Sequence, residues 1–210
     1  AKETDDASGK MRVRHRRIWS NPVIWREIRT RAYGHKVQLI KAAYLLLATA
    51  VVYQVTVAAD DGLVLNIISP IGLAMVGLSL LSLLLINAQA VTALTSERDG
   101  KTLDLLLATD ISAKEFIYGK LGGIAWNTRE LIAVPLALAG WQATIGAILW
   151  EEFVYLLVGF SMLSVFAAML GLHSGLTFEA SRLAIGNSLG TLFFLFIGIF
   201  VFLMLLVEAS

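Results

Sequence analysis

The chain has 210 residues, of which 57% are hydrophobic and 16% charged, and its mean hydropathy is +0.73. Soluble domains carry about a quarter charged residues, so this composition excludes one and reads as an all-α integral membrane protein. Cysteine is absent, which excludes disulfides and thiolate chemistry, and His15, His35 and His173 lie far apart with no carboxylate at ligand spacing, which argues against a metal site.

Residues 1–19 read as a basic cytoplasmic tail or linker ahead of a transmembrane domain over 20–210. The opening KETDDASGK has neither the apolar core nor the cleavage site of a signal peptide. The run KMRVRHRRIWS at 10–20 abuts a membrane segment and lacks a folded module, so it fits a positive-inside flank rather than a nucleic-acid surface. Asn21-Pro22 predicts a helix start, and Gly34 is placed to end that helix. Within it Ile24, Trp25, Ile28 and Ala32 share an apolar side, Arg26, Arg29 and Thr30 lie opposite, and Glu27 is one turn from Arg31. The expectation is an interfacial helix with Trp25 at the membrane boundary and Arg26 and Arg29 toward anionic lipid.

The first span is predicted over Val37–Ala59, with Lys41 close enough to the inner end to snorkel, and Asp60-Asp61-Gly62 forms the outer turn. Ser69-Pro70 caps and opens the second span. Residues 70–95 make roughly 39 Å of helix against a hydrocarbon core of about 30 Å, so its end should project into the cytoplasm. Hydropathy places the third span at 131–149, with Trp126, Arg129 and Glu130 at the inner interface. A start after Lys120, which the family resemblance given below implies, is the alternative, and it sets Arg129 and Glu130 about 13 Å deep, where a bare arginine costs about 2.5–3.5 kcal/mol. In that register the pair is a functional candidate inside the bundle. Trp150-Glu151-Glu152 reads as an outer turn, 153–172 as the fourth span, 173–187 as a second inner loop, and 188–207 as the fifth span. Gly186 and Gly190 are spaced for close approach of a neighbouring helix.

Between the second and third spans lies a polar island, TSERDGKTLDLLLATDISAKEFIYGKL, at 95–121. Ser96 and Asp99 have capping-box spacing, Asp99-Gly100 supplies a turn, and Thr102 is placed to cap a short helix with Leu103, Leu106 and Leu107 on one face and Asp104 on the other. Ser112 and Glu115 repeat the capping-box spacing and predict a helix from about Ala113. Gly100-Lys101-Thr102 looks like the end of a phosphate-binding loop, but Thr95 stands where that motif needs its first glycine, so ATP binding by this chain is not expected.

The order Glu97-Arg98, Gly100, Thr102-Leu103, Leu106-Leu107, Gly119-Lys120-Leu121 resembles the cytoplasmic loop of the permeases of type-2 ABC exporters (ABC-2), and NPVIWREIRTRAYG is similar to the elbow helix that leads into their first span. The resemblance covers about residues 20–205. It implies a coupling helix that rests in a groove of a separate ATPase subunit, with contacts from Glu97, Arg98, Leu103, Asp104 and Leu106. It also implies a second permease domain as partner, no cofactor held by this chain, and no enzymatic activity of its own. A membrane enzyme using His173 with Glu179, or Arg129 with Glu130, lacks an accompanying nucleophile or metal constellation. A secondary transporter or channel needs Arg129 and Glu130 at depth.

All 17 Lys and Arg sort to the sides that five spans with an inside N-terminus assign to the cytoplasm: 11 over Lys2–Lys41, five at Arg98, Lys101, Lys114, Lys120 and Arg129, and one at Arg182. The turns assigned outside, together with the C-terminal end, hold Asp60, Asp61, Glu151, Glu152 and Glu208. That asymmetry predicts five spans with a cytoplasmic N-terminus, and the ABC-2 resemblance implies the bacterial inner membrane. The ABC-2 pattern has six spans, so the domain reads as lacking its sixth.

Overall fold

The computed structural model describes residues 22–29, 34–57, 69–102 and 111–209. All regular elements among them are helices: α1 (Pro22–Arg29), α2 (Gly34–Val57), α3 (Pro70–Asp99), α4 (Ala113–Asn127), α5 (Arg129–Thr144), α6 (Trp150–Thr177) and α7 (Ser181–Ala209). Among the described residues, four stretches are long and apolar enough to cross a membrane, Val37–Gln54, Pro70–Asp99, Trp150–Thr177 and Ser181–Ile199. They mark a multi-pass helical membrane protein.

Helix α3 is the axis of the bundle and touches α2, α4, α5, α6 and α7. Its start is set locally, because Ser69 Oγ accepts the Gly72 N–H at 3.2 Å and Pro70 occupies the first turn, where its missing N–H costs nothing. Leu83, Ile86, Ala90, Val91 and Leu94 are buried along it. Small residues let α6 approach: a methyl added at Gly171 would lie 2.6 Å from the Asn87 carbonyl oxygen, and one at Gly175 would lie 3.2 Å from Leu94 Cβ. Close approach therefore occurs at Gly171 and Gly175. A methyl at Gly186 or Gly190 would meet nothing within 4 Å among the described residues. Asn87 uses the short distance. Its amide nitrogen donates to the Ala167 carbonyl at 2.9 Å and its oxygen accepts from Ser188 Oγ at 2.9 Å, so one side chain ties α3 to α6 and α7. Ser82 donates to the Leu78 carbonyl, which leaves its oxygen to accept the Tyr44 hydroxyl of α2 at 2.7 Å.

The predicted third span is not among the four apolar helices. Its first residues lie in α5, which follows α4 across Thr128 and ends at Thr144 instead of continuing to 149. The end is a Schellman motif. Gly146 takes φ +76°, its N–H reaches the Ala143 carbonyl, and Ala147 N–H reaches Gln142 at 2.9 Å. The next helix begins at Trp150, so Trp150, Glu151 and Glu152 form a first turn and not a loop; Glu152 accepts the Leu149 N–H at 2.9 Å. The second inner loop is likewise shorter than 173–187, since α6 runs to Thr177 and α7 opens at Ser181. At the other end of the chain, Gly34 is the first residue of α2, and residues 30–33 before it lie outside the described residues.

Candidate functional site

The last turn of α3 presents Glu97, Arg98 and Asp99 in succession, and each joins a different neighbour. Asp99 and Gly100 do form the predicted turn, but Ser96 lies within the helix and caps nothing. Glu97 faces α1 and α4. Lys120 of α4 places Nζ 2.7 Å from both Glu97 Oε2 and Glu27 Oε1, and Arg26 of α1 bonds Glu97 and reaches Glu27 at 3.3 Å. The side chains of Lys120 and Glu27 are each only 1% exposed. Two cations and two carboxylates thus balance in a site that is dry at Lys120 and Glu27 and opens to the surface at Arg26, whose side chain is 34% exposed. Removing a charge from water costs several kcal/mol, so the group persists only because every charge has an opposite neighbour. Lys120 also donates to the Ala93 carbonyl at 3.5 Å.

The backbone makes room for this cluster. Gly122 and Gly123 of α4 lie against α1, and a methyl at Gly123 would stand 2.5 Å from Glu27 Cβ. Glu27 is therefore turned into the bundle, whereas the amphipathic pattern assigned it to a surface pair with Arg31, which lies outside the described residues. Trp25 is half-buried on the same helix, and Arg26 is committed to carboxylates. The side chain of Arg29 lies outside the description.

Arg98 points the other way. Its Nη1 donates to the Gly175 carbonyl at 2.9 Å and to the Phe178 carbonyl, at the C-terminal end of α6 where helix carbonyls lack partners. Asp99 accepts the Ser181 hydroxyl at the first residue of α7. The turn that follows is tight, with Lys101 at φ +55° and Thr102 Oγ1 bonded to the Glu97 carbonyl at 3.0 Å. Leu103, Asp104 and Leu106 fall outside the described residues. Beyond that segment, Ser112 and Glu115 form a complete capping box at the start of α4. The Ser112 hydroxyl and backbone amide hold the Glu115 carboxyl below its usual range.

A second charged group lies along α2 and α5. Lys41 Nζ is 3.1 Å from Glu130 Oε2 and 3.4 Å from Asn127 Oδ1, while Arg129 Nε is 3.1 Å from Glu130 Oε1 and its guanidinium stacks 4.6 Å above Trp126. Glu130 therefore stands level with Lys41, four residues beyond Val37, where the apolar stretch of α2 begins. Among the described residues no three His, Asp or Glu side chains gather as metal ligands.

Of the residues singled out from sequence, Glu97, Arg26 and Glu27 meet in one cluster, Arg98 braces α6, and Arg129 and Glu130 pair elsewhere. Sequence reasoning placed Lys120 at the opening of a span but missed its partners. The signal was a single cation inside GKLGGI, where the two following glycines allow close helix contact. The chain matches no family model, no curated protein and no solved structure.

Proposed function

We propose that the chain is a permease subunit of an ABC-2 type exporter of the bacterial inner membrane, with its N-terminus in the cytoplasm. In this reading a separate ATPase subunit binds and hydrolyses ATP, and its movement reaches the spans through residues 97–110. A second permease copy or domain completes the transport path. The observation that carries the proposal is the three-way bracing of Glu97, Arg98 and Asp99. The turn leading directly into the leucine-rich segment is tied to α1 and α4, to the end of α6 and to the start of α7. A push on that segment would reach α1, α4, α6 and α7 together, which is what a coupling element requires. The one-sided distribution of Lys and Arg supports the orientation.

The test is co-purification. The chain is solubilised in mild detergent from its native membrane and probed for an associated ATPase, in the wild type and in a Leu103→Asp, Leu106→Asp variant. The expected result is an ATPase that accompanies the wild type and is lost from the variant while membrane insertion is unchanged. An absent ATPase, or one indifferent to the substitutions, would sink the exporter reading and shift attention to Lys41, Arg129 and Glu130.

A further inference from the structure

The seam between α2 and α5 combines two features that the exporter reading does not use. At one end lie Lys41, Glu130, Arg129 and Trp126. At the other, Val52, Thr56, Val134, Ala137, Leu138 and Trp141 line a groove of about 380 Å³. The helices run in the same direction, because Lys41 meets Glu130 at one level and Val52 and Trp141, each 11 residues further on, meet at the other. The two ends are therefore about 16 Å apart along the helices, roughly half of a hydrocarbon core.

The groove is apolar throughout its lining, since the Thr56 hydroxyl is turned to the Tyr53 carbonyl of its own helix at 3.0 Å. Its occupant has to be apolar as well. The groove is open along one side and, at about 380 Å³, has room for part of a single hydrocarbon chain; the positive charge at the other end of the seam favours an anionic lipid over an uncharged apolar partner. At the charged end, two cations face one carboxylate and leave an excess of one positive charge. Arg129 is the exposed member, with its side chain 57% accessible. Trp126 supports one face of the guanidinium and Glu130 takes Nε, while the terminal nitrogens have no acceptor among the described residues. A fixed guanidinium with free terminal N–H groups is a phosphate site.

We propose that this seam binds one anionic phospholipid, with its phosphate on Arg129 and one acyl chain in the groove beside Trp141. The inference rests on the membrane character of the chain and is independent of the ATPase partnership.

The test uses tryptophan quenching by brominated lipid. The full chain is reconstituted in phosphatidylcholine vesicles containing one-fifth dibrominated phosphatidylglycerol or one-fifth dibrominated phosphatidylcholine. The Trp141 signal is taken as the difference from a Trp141→Phe variant. One basic group near an anionic headgroup is worth roughly a factor of five, so phosphatidylglycerol should occupy the groove about fivefold more readily than phosphatidylcholine, and Arg129→Gln should remove that preference. Ala137→Phe, which fills the groove from an exposed position, should reduce Trp141 quenching by both lipids. Equal quenching by the two lipids in the wild type, or a preference that survives Arg129→Gln, would overturn the proposal. So would quenching by neither lipid, because the groove would then be covered by protein, as by a second copy of the chain.

Discussion

Lys120 pairs with two carboxylates while its side chain is only 1% exposed. Its loss leaves Glu27 and Glu97 facing Arg26 alone. Lys120→Met is expected to destabilise the folded state by about 3–5 kcal/mol, the usual result of stranding a buried charge. Adding Glu27→Gln restores one cation to one carboxylate and should recover about half of that loss. Thermal unfolding in detergent measures both. If the double variant is no more stable than the single one, the four groups do not form a balanced electrostatic unit.

Among the elements, the contact of α3 with α6 depends on one missing methyl group. Gly171→Ala sets a Cβ against the backbone oxygen of Asn87, which has no rotamer to yield, so either the helices separate or α6 shifts, at a cost of about 1–3 kcal/mol. Gly190→Ala meets open space and should be neutral within about 0.5 kcal/mol. Parallel denaturation of the two variants separates packing from helix propensity. At the start of α4, the lowered pKa of Glu115 gives a pH dependence of known sign. Its capping contribution is present in full above the pKa of an unfolded glutamate and is lost as pH falls through the lower folded value. Hydrogen exchange in the first turn of α4 should therefore be protected at neutral pH and accelerate below pH ~4, relative to a Glu115→Gln control that lacks the step. An identical pH response in the control would mean that the carboxylate does not hold the turn.

For the whole molecule, α4 and α5 together separate Ser112 from Ala147, and the charge distribution assigns Ser112 to the cytoplasmic side. The absence of cysteine makes this directly measurable. Ala147→Cys in intact cells should label with a membrane-impermeant maleimide, while Ser112→Cys should label only after permeabilisation. The reverse pattern would invert the topology and remove the proposed coupling turn from the reach of any cytoplasmic ATPase.

Sequence by itself determined the membrane class, the positions of four long apolar helices and the local caps at Ser69 and Ser112, because each depends on hydropathy or on residues within one turn. It also carried the signal that ends α5: a glycine just beyond the last turn, at Gly146, that a hydropathy window averages away. Only the tertiary structure decided what the charges do. The helical pattern of α1 assigned Glu27 to a surface pair, yet α4 approaches over Gly122 and Gly123 and turns Glu27 into a buried cluster with Lys120, 93 residues away. Likewise, hydropathy could not say what Arg129 and Glu130 face, and the packed bundle brings Glu130 against Lys41 on another helix. A local window registers how much charge a segment carries; the partner that allows that charge to be buried lies on another helix, and only the packed bundle brings the two together.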